Sequence, residues 1–300
     1  MNRRDILKSL SIIPFGILLD SAYFNLFGKD KSVTNKDVFT KNTIDIFNSI
    51  IRTATENNWS ELPIGKLIGN IALKFIDTPY VGGTLDTAVN EACRINLEGL
   101  DCVTFFENSL CLARIIKKKK TTFDDLIKEV TYTRYRSGDL KGYSSRLHYT
   151  SEWIFDNERK GVIEDVSRKT GGIDFPINVY FMSQNPQFYK QLKFEPELAS
   201  EIKKIEMQIN EGHYFYIPKS KAASNERRLL TGDIIAITTS KKGLDYSHTG
   251  LIFVDEDKKP HFLHASSKKK KVIKGQPISE YLQTVDSDTG FSVARPLEPK

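Results

Sequence analysis

Cysteine is scarce in this sequence. The 300-residue chain has three, too few for a disulfide scaffold. No two of them form a CxxC pair, which excludes a zinc ribbon or a thioredoxin-type centre. Histidine is nearly as rare, with five. No apolar run reaches the ~18–20 residues that cross a bilayer as a helix. Phosphate loops are missing too: neither GxGxxG nor a P-loop pattern follows the Gly82-Gly83 pair. No internal repeat is visible. The lysine runs lack interleaved aromatics, so nothing points to nucleic acid.

What is present describes a globular chain. Hydrophobic residues make up 39% and charged residues 27%, outside the disordered and fibrous ranges. The length fits one large domain or two small ones. Lys+Arg is 44 and Asp+Glu is 38, a net charge of +6, which modestly favours anionic substrates.

Residues 1–30 read as an export signal, with an amphipathic or buried N-terminal helix as the competing reading. Arg3 and Arg4 precede an apolar stretch from Leu10 to Leu19, broken by Pro14 and Gly16. The paired arginines resemble a twin-arginine signal. Export places the protein outside the cytoplasm, in the periplasm. Residues 31–42 are polar and read as a linker, and residues 43–300 as one domain.

Within that domain the hydrophobic period is helical first. It predicts helices over 43–57, 64–75, 102–116, 123–135, 149–159 and 197–209. Ser60 is a candidate cap, with Pro63 near the first turn of the second helix. Lys117 to Lys120 close the third as a solvated end. The last third changes period, with strands over 234–237, 248–254, 262–265 and 291–293 and a short helix at 278–282. Helices first and strands last predict an α+β fold, helices packed on one antiparallel sheet. The Lys268–Lys271 run reads as exposed surface.

Cys102 is the sharpest chemical feature. Asp101 can cap the helix that Cys102 opens. The positive end of the helix dipole then favours thiolate, the nucleophilic form. Cys93 and Cys111 lack this setting and read as small buried hydrophobes. A base should come from a histidine. A hairpin centred near Glu256 brings His248 close to His264, which can orient it while His248 takes the thiol proton. A bulge or a one-residue slip would break that pairing. His261 and His264 point to opposite sheet faces, so joint metal ligation is not expected. His213 and His261 read as structural.

The order of these pieces is that of a known group. Pro79-Tyr80-Val81-Gly82-Gly83, Asp101-Cys102, Gly232-Asp233, His248-Thr249-Gly250 and His264-Ala265-Ser266 resemble the NlpC/p60 papain-like cell-wall hydrolases. That group commonly has Asp-Cys-Ser-Gly, whereas Val103 and Thr104 follow the cysteine here. Tyr80 to Asp86, Asn96 to Asn108, Ser145 to Tyr149, Phe181-Met182-Ser183, Tyr216 to Lys219 and Gly243 to His248 resemble one branch, the N-acetylmuramoyl-L-alanine amidase-like family. The resemblance covers roughly residues 65–295. It implies a papain-like sheet with a large helical insert. It also implies cleavage of the amide between N-acetylmuramic acid and L-alanine of peptidoglycan or its muropeptide fragments, without metal or organic cofactor.

By the same implication Cys102 is the nucleophile, His248 the base and His264 the third member. Tyr80 would help the Cys102 backbone N–H stabilise the oxyanion. Arg146 and His148 match branch motifs for substrate contact, and Asp101 and Ser247 join that substrate-facing set. For Arg146 a structural ion pair is the competing reading. Two other functions stay open: an endopeptidase of the same group, cutting between D-glutamate and the diamino acid, and a wall-binding protein without turnover.

Overall fold

The computed structural model describes residues 39–86 and 90–300. The predicted export signal and most of the predicted linker lie outside them. The linker's last residues, Lys41 and Asn42, instead open helix α1 (Lys41–Glu56), where Thr40 Oγ1 accepts from Thr43 N at 3.0 Å. Helix α2 (Ile64–Lys74) buries the expected stripe of Leu67, Ile68, Ile71 and Ala72. Ser60 does not cap it. Glu298, near the chain end, accepts from Ile64 N at 2.7 Å, a contact no local pattern reveals.

Helix α3 (Cys102–Lys117) is the centre of the molecule. The period predicts one apolar stripe, but every residue from Thr104 to Ile116 is buried. Its polar members therefore need partners. Arg134 of α4 (Phe123–Arg134) pairs with Glu107 at 2.7 Å, and Arg114 pairs with Glu129 at 2.6 Å. Helices α5 (Thr150–Arg159) and α6 (Glu197–Asn210) follow where the periodicity puts them. Among the described residues no helix is long and apolar enough to cross a membrane.

The strands are β1 (Ile163–Asp165), β2 (Ile173–Asp174), β3 (Phe215–Pro218), β4 (Ile234–Thr239), β5 (Tyr246–Val254), β6 (Pro260–Ser266), β7 (Lys271–Lys274) and β8 (Asp288–Pro296). They form one antiparallel sheet in the order β2-β3-β8-β4-β5-β6-β7, with β1 also on β8. The expected α+β class is present, but the segment expected as a helical insert also supplies three strands. β1 and β3 lie along β8, with Asp165 opposite Ala294 and Ile217 opposite Phe291. Strands this short carry too few residues for a period to register.

Strand alternation sorts the core into two faces. Ile234, Ala236, Leu251, Leu263 and Ala265 pack with α2 and α3. Ile235, Ile237, Ile252, Phe262 and Phe291 pack with Ile278 and Leu282 on the other side. The β5–β6 hairpin turns around Asp257, one residue from the expected centre, with Leu251 opposite Leu263 and Val254 opposite Pro260. Continuing that register sets Gly250 across from His264 and His248 diagonal to it. Glycine is required there: a Cβ on Gly250 would lie 2.4 Å from the Leu263 carbonyl oxygen and 2.6 Å from the Phe262 ring.

Candidate active site

Cys102 is the first residue of α3, and the local sequence fixes its place. Asp101 Oδ1 accepts from Thr104 N at 2.8 Å, and Asp101 N donates to Thr104 Oγ1 at 2.9 Å, a reciprocal capping box. Asp101 thus sets the helix start, and its carboxylate is occupied in doing so. Of the three cysteines, Cys93 and Cys111 are buried, as expected, and Cys102 alone is partly exposed.

The distant histidine arrives on β5. Ile237 is opposite His248, but Thr238 is opposite Tyr246, so Ser247 is the extra residue of a β-bulge. Bulges bend a strand and re-aim its side chains. This one falls just before His248 and leaves the β5–β6 register regular. His248 Nε2 lies 2.7 Å from His264 Nδ1. His248 and Cys102 line one cleft of about 220 Å³, with Val103, His148, Tyr149, Met182, Tyr189 and residues 244–249. Among the described residues no hydrogen bond joins the Cys102 sulfur to His248; contacts of this kind commonly tighten only with substrate bound.

Electrostatics correct one expectation. The helix terminus was expected to favour thiolate, but burial, then the neighbouring Asp101 charge, pushes the Cys102 thiol up to about 11, against the Thr249 hydroxyl and amide. Burial, then His264, holds His248 well below the ordinary imidazole value, and burial pushes His264 down to about 4. At neutral pH the resting pair is therefore thiol and neutral imidazole. Alkylation of Cys102 should rise with pH towards about 11 rather than level off below neutrality; a thiolate signal already saturated at pH 6 contradicts this assignment.

The structure sorts the remaining predicted residues. Tyr80 lies beside the cysteine: Leu100 N donates to the Pro79 carbonyl at 3.0 Å and Val81 N to the Leu100 carbonyl at 3.1 Å. Burial, then the Cys102 and Asp101 charges, raises its phenol pKa, so it stays a proton donor. His148 lines the cleft and donates from Nε2 to the Tyr143 carbonyl at 2.9 Å. Burial, then Arg146, keeps it neutral. Ser247 also lines the cleft, its hydroxyl donating to Asp288 Oδ1 at 2.8 Å. Arg146 is buried away from the cleft lining, ion-paired with Asp86 and 3.7 Å from Glu91, with Tyr143 against its guanidinium. That is the arrangement of its competing reading, a structural ion pair.

Two residues escaped the sequence reading. Tyr281 stacks on His248 with centroids 5.8 Å apart and meets His264 edge-on at 5.2 Å. Its helix was expected, but nothing marked the tyrosine. Thr249 stands beside the cysteine, within a motif in which only His248 was given a chemical role.

A family model described as N-acetylmuramoyl-L-alanine amidase-like matches residues 70–290. A crystal structure of an N-acetylmuramoyl-L-alanine amidase from Bacteroides uniformis is 36% identical, with a TM-score of 0.74, covering 78% of this chain and 99% of that one. A Bacteroides fragilis structure with a provisional xylanase description is 37% identical, with a TM-score of 0.69, over 75% of this chain and 99% of that one. A Legionella pneumophila protein at 20% identity and a TM-score of 0.64, over 85% of this chain and 96% of that one, shares the fold. No curated protein matches.

Proposed function

Because the chain belongs to the N-acetylmuramoyl-L-alanine amidase-like family, we propose that it hydrolyses the amide joining the lactyl group of N-acetylmuramic acid to L-alanine of the peptidoglycan stem, with Cys102 as nucleophile. The helix-borne cysteine and sheet-borne histidines are the reason to group it with the papain-like NlpC/p60 hydrolases. The observation that carries the mechanism is the 2.7 Å contact between His248 Nε2 and His264 Nδ1, beside a cleft that Cys102 also lines.

The proposed proton arrangement takes His248 as the donor in that contact. With Nε2–H donating to His264, the His248 lone pair is on Nδ1. Nδ1 takes the thiol proton as sulfur attacks the lactyl carbonyl carbon. The Cys102 backbone N–H and the Tyr80 hydroxyl are the donors for the oxyanion. The imidazolium then protonates the alanine nitrogen, the C–N bond breaks and a thioester remains. Water attacks the thioester and gives a proton to Nδ1, which returns it to the departing sulfur. One amide and one water become one carboxylic acid and one amine. The steps use no metal or organic cofactor. The resemblance of Arg3-Arg4 and the apolar stretch after them to an export signal is the reason to propose that the reaction takes place outside the cytoplasm, in the periplasm.

A glycosidase reading has less support. It needs two carboxyl groups facing each other across the scissile bond. In the cleft and the adjoining cavity beyond His248, the lining carboxylates among the described residues are Asp245 and Asp288. Both are buried, accepting from Ser151 and Ser247 respectively.

Mass spectrometry of digested muropeptides tests the reading. Release of the intact stem peptide with a free L-alanine amine is expected. An L-alanyl-D-glutamate stub left on the sugar would instead identify an endopeptidase and overturn it.

A further inference from the structure

The Thr249 hydroxyl has nothing to bond in the resting fold. The residue is 2% exposed, and its Oγ1 is buried with no hydrogen-bond partner among the described residues. Such an orphan is destabilising, because the group leaves water and gains no bond in return. Valine has the same branched shape, suits a strand equally well and carries no polar atom to satisfy. Packing alone therefore gives no reason for threonine at this position.

The fold turns this hydroxyl towards the nucleophile. Thr249 is opposite Ala236 in the β4–β5 ladder. Strand alternation puts its side chain on the face of Leu251, which packs with α2 and α3. Cys102 opens α3, and both residues line the same cleft. Burial and the Asp101 charge push the thiol up, and the Thr249 hydroxyl is the foremost group drawing it back. No lysine or arginine lines that cleft among the described residues, so a thiolate there has no basic side chain of that kind to balance it. Two other hydroxyls of the cleft are taken: Tyr149 donates to Glu206 at 2.7 Å and Ser247 to Asp288 at 2.8 Å.

Resting on Cys102 as the nucleophile, we propose that Thr249 is a further catalytic residue, whose hydroxyl donates to the Cys102 sulfur as it becomes thiolate. The thiol proton still goes to His248 Nδ1. Thr249 keeps its own proton, and no covalent bond to it forms or breaks. A neutral thiol is a weak acceptor, which is why the hydroxyl is unpartnered at rest. Once charge develops on sulfur the bond strengthens, so it favours the transition state over the ground state. A fixed donor then stands in for the water that burial keeps from the sulfur.

Thr249→Val removes the donor and keeps the shape. Loss of a hydrogen bond to a charged group is expected to lower kcat/KM for muropeptide cleavage about tenfold. Alkylation of Cys102 at pH 8, followed by mass spectrometry of the labelled peptide, is expected to slow about threefold: thiolate falls about tenfold, and the higher nucleophilicity of a more basic sulfur recovers part of that. Thr249→Ser restores both rates to within about twofold. Thr249→Val should melt no lower than wild type, since the resting fold loses no hydrogen bond. A retained kcat/KM, an unchanged alkylation rate or a lower Tm in Thr249→Val, or no recovery in Thr249→Ser, overturns the proposal. If the wild-type chain cleaves no muropeptide, the amidase reading fails, while alkylation and melting still decide the role of Thr249.

Discussion

Cys102→Ala will remove turnover: the rate of stem-peptide release falls at least ~10⁴-fold, because loss of a covalent nucleophile leaves only the catalysis that binding and oxyanion donors supply. Stability changes little. The residue is partly exposed at the first position of α3, and the start of that helix is fixed by the Asp101–Thr104 box rather than by the sulfur. A cost under ~1 kcal/mol is expected, and a Tm shift of a few degrees at most. The other two cysteines should show the opposite profile. Cys111 is wholly buried, its sulfur 3.1 Å from Thr133 Oγ1, and Cys93 is buried as well. Their alanine variants should lose about 1–2 kcal/mol of stability and keep kcat. Product release measured beside thermal melts separates the two classes. More than ~1% of wild-type activity in folded Cys102→Ala excludes the nucleophile assignment and favours either another nucleophile or no covalent step.

The same contrast explains what the sequence could and could not reveal. The start of α3 was legible because its determinants are within four residues: Asp101 as cap, Thr104 as return partner and an apolar run behind them. The His248–His264 meeting was legible in outline because strand alternation and a short hairpin leave few registers. The Ser247 bulge was not, since an extra residue leaves no mark on composition or period. Arg146 shows the other limit. Its partner Asp86 lies sixty positions earlier in the chain, and an ion pair at that separation leaves no local mark in the sequence. The thiol's protonation state was misjudged for a related reason. The dipole argument is local, whereas burial depends on everything packed around the sulfur. Tyr281 and Thr249 belong to the same class: ordinary residues given a setting by elements far away in sequence.

His264 tests whether that setting acts on the chemistry. In His264→Ala the His248 Nε2–H loses its acceptor, and the imidazole loses the partner that fixes its tautomer. A fall in kcat of about a thousandfold is expected, by analogy with the loss of an orienting group in other nucleophile–base pairs. A merely structural role would lower Tm without this loss, since the His264 ring also packs on Phe262 at 4.8 Å. The pH profile decides between them. Burial, then His264, depresses the His248 pKa, so wild-type activity is retained down to a pH well below 6.5 and fails only when His248 becomes protonated. Removing His264 relieves both causes: water reaches the ring and the neighbouring imidazole is gone. The His248 pKa then rises towards its ordinary value, and the acid limb of kcat/KM moves to higher pH. His264→Asn restores an acceptor near Nε2 and should recover activity to within about tenfold of wild type. An unshifted acid limb in the alanine variant, or no recovery in folded His264→Asn, means that His264 does not orient the base.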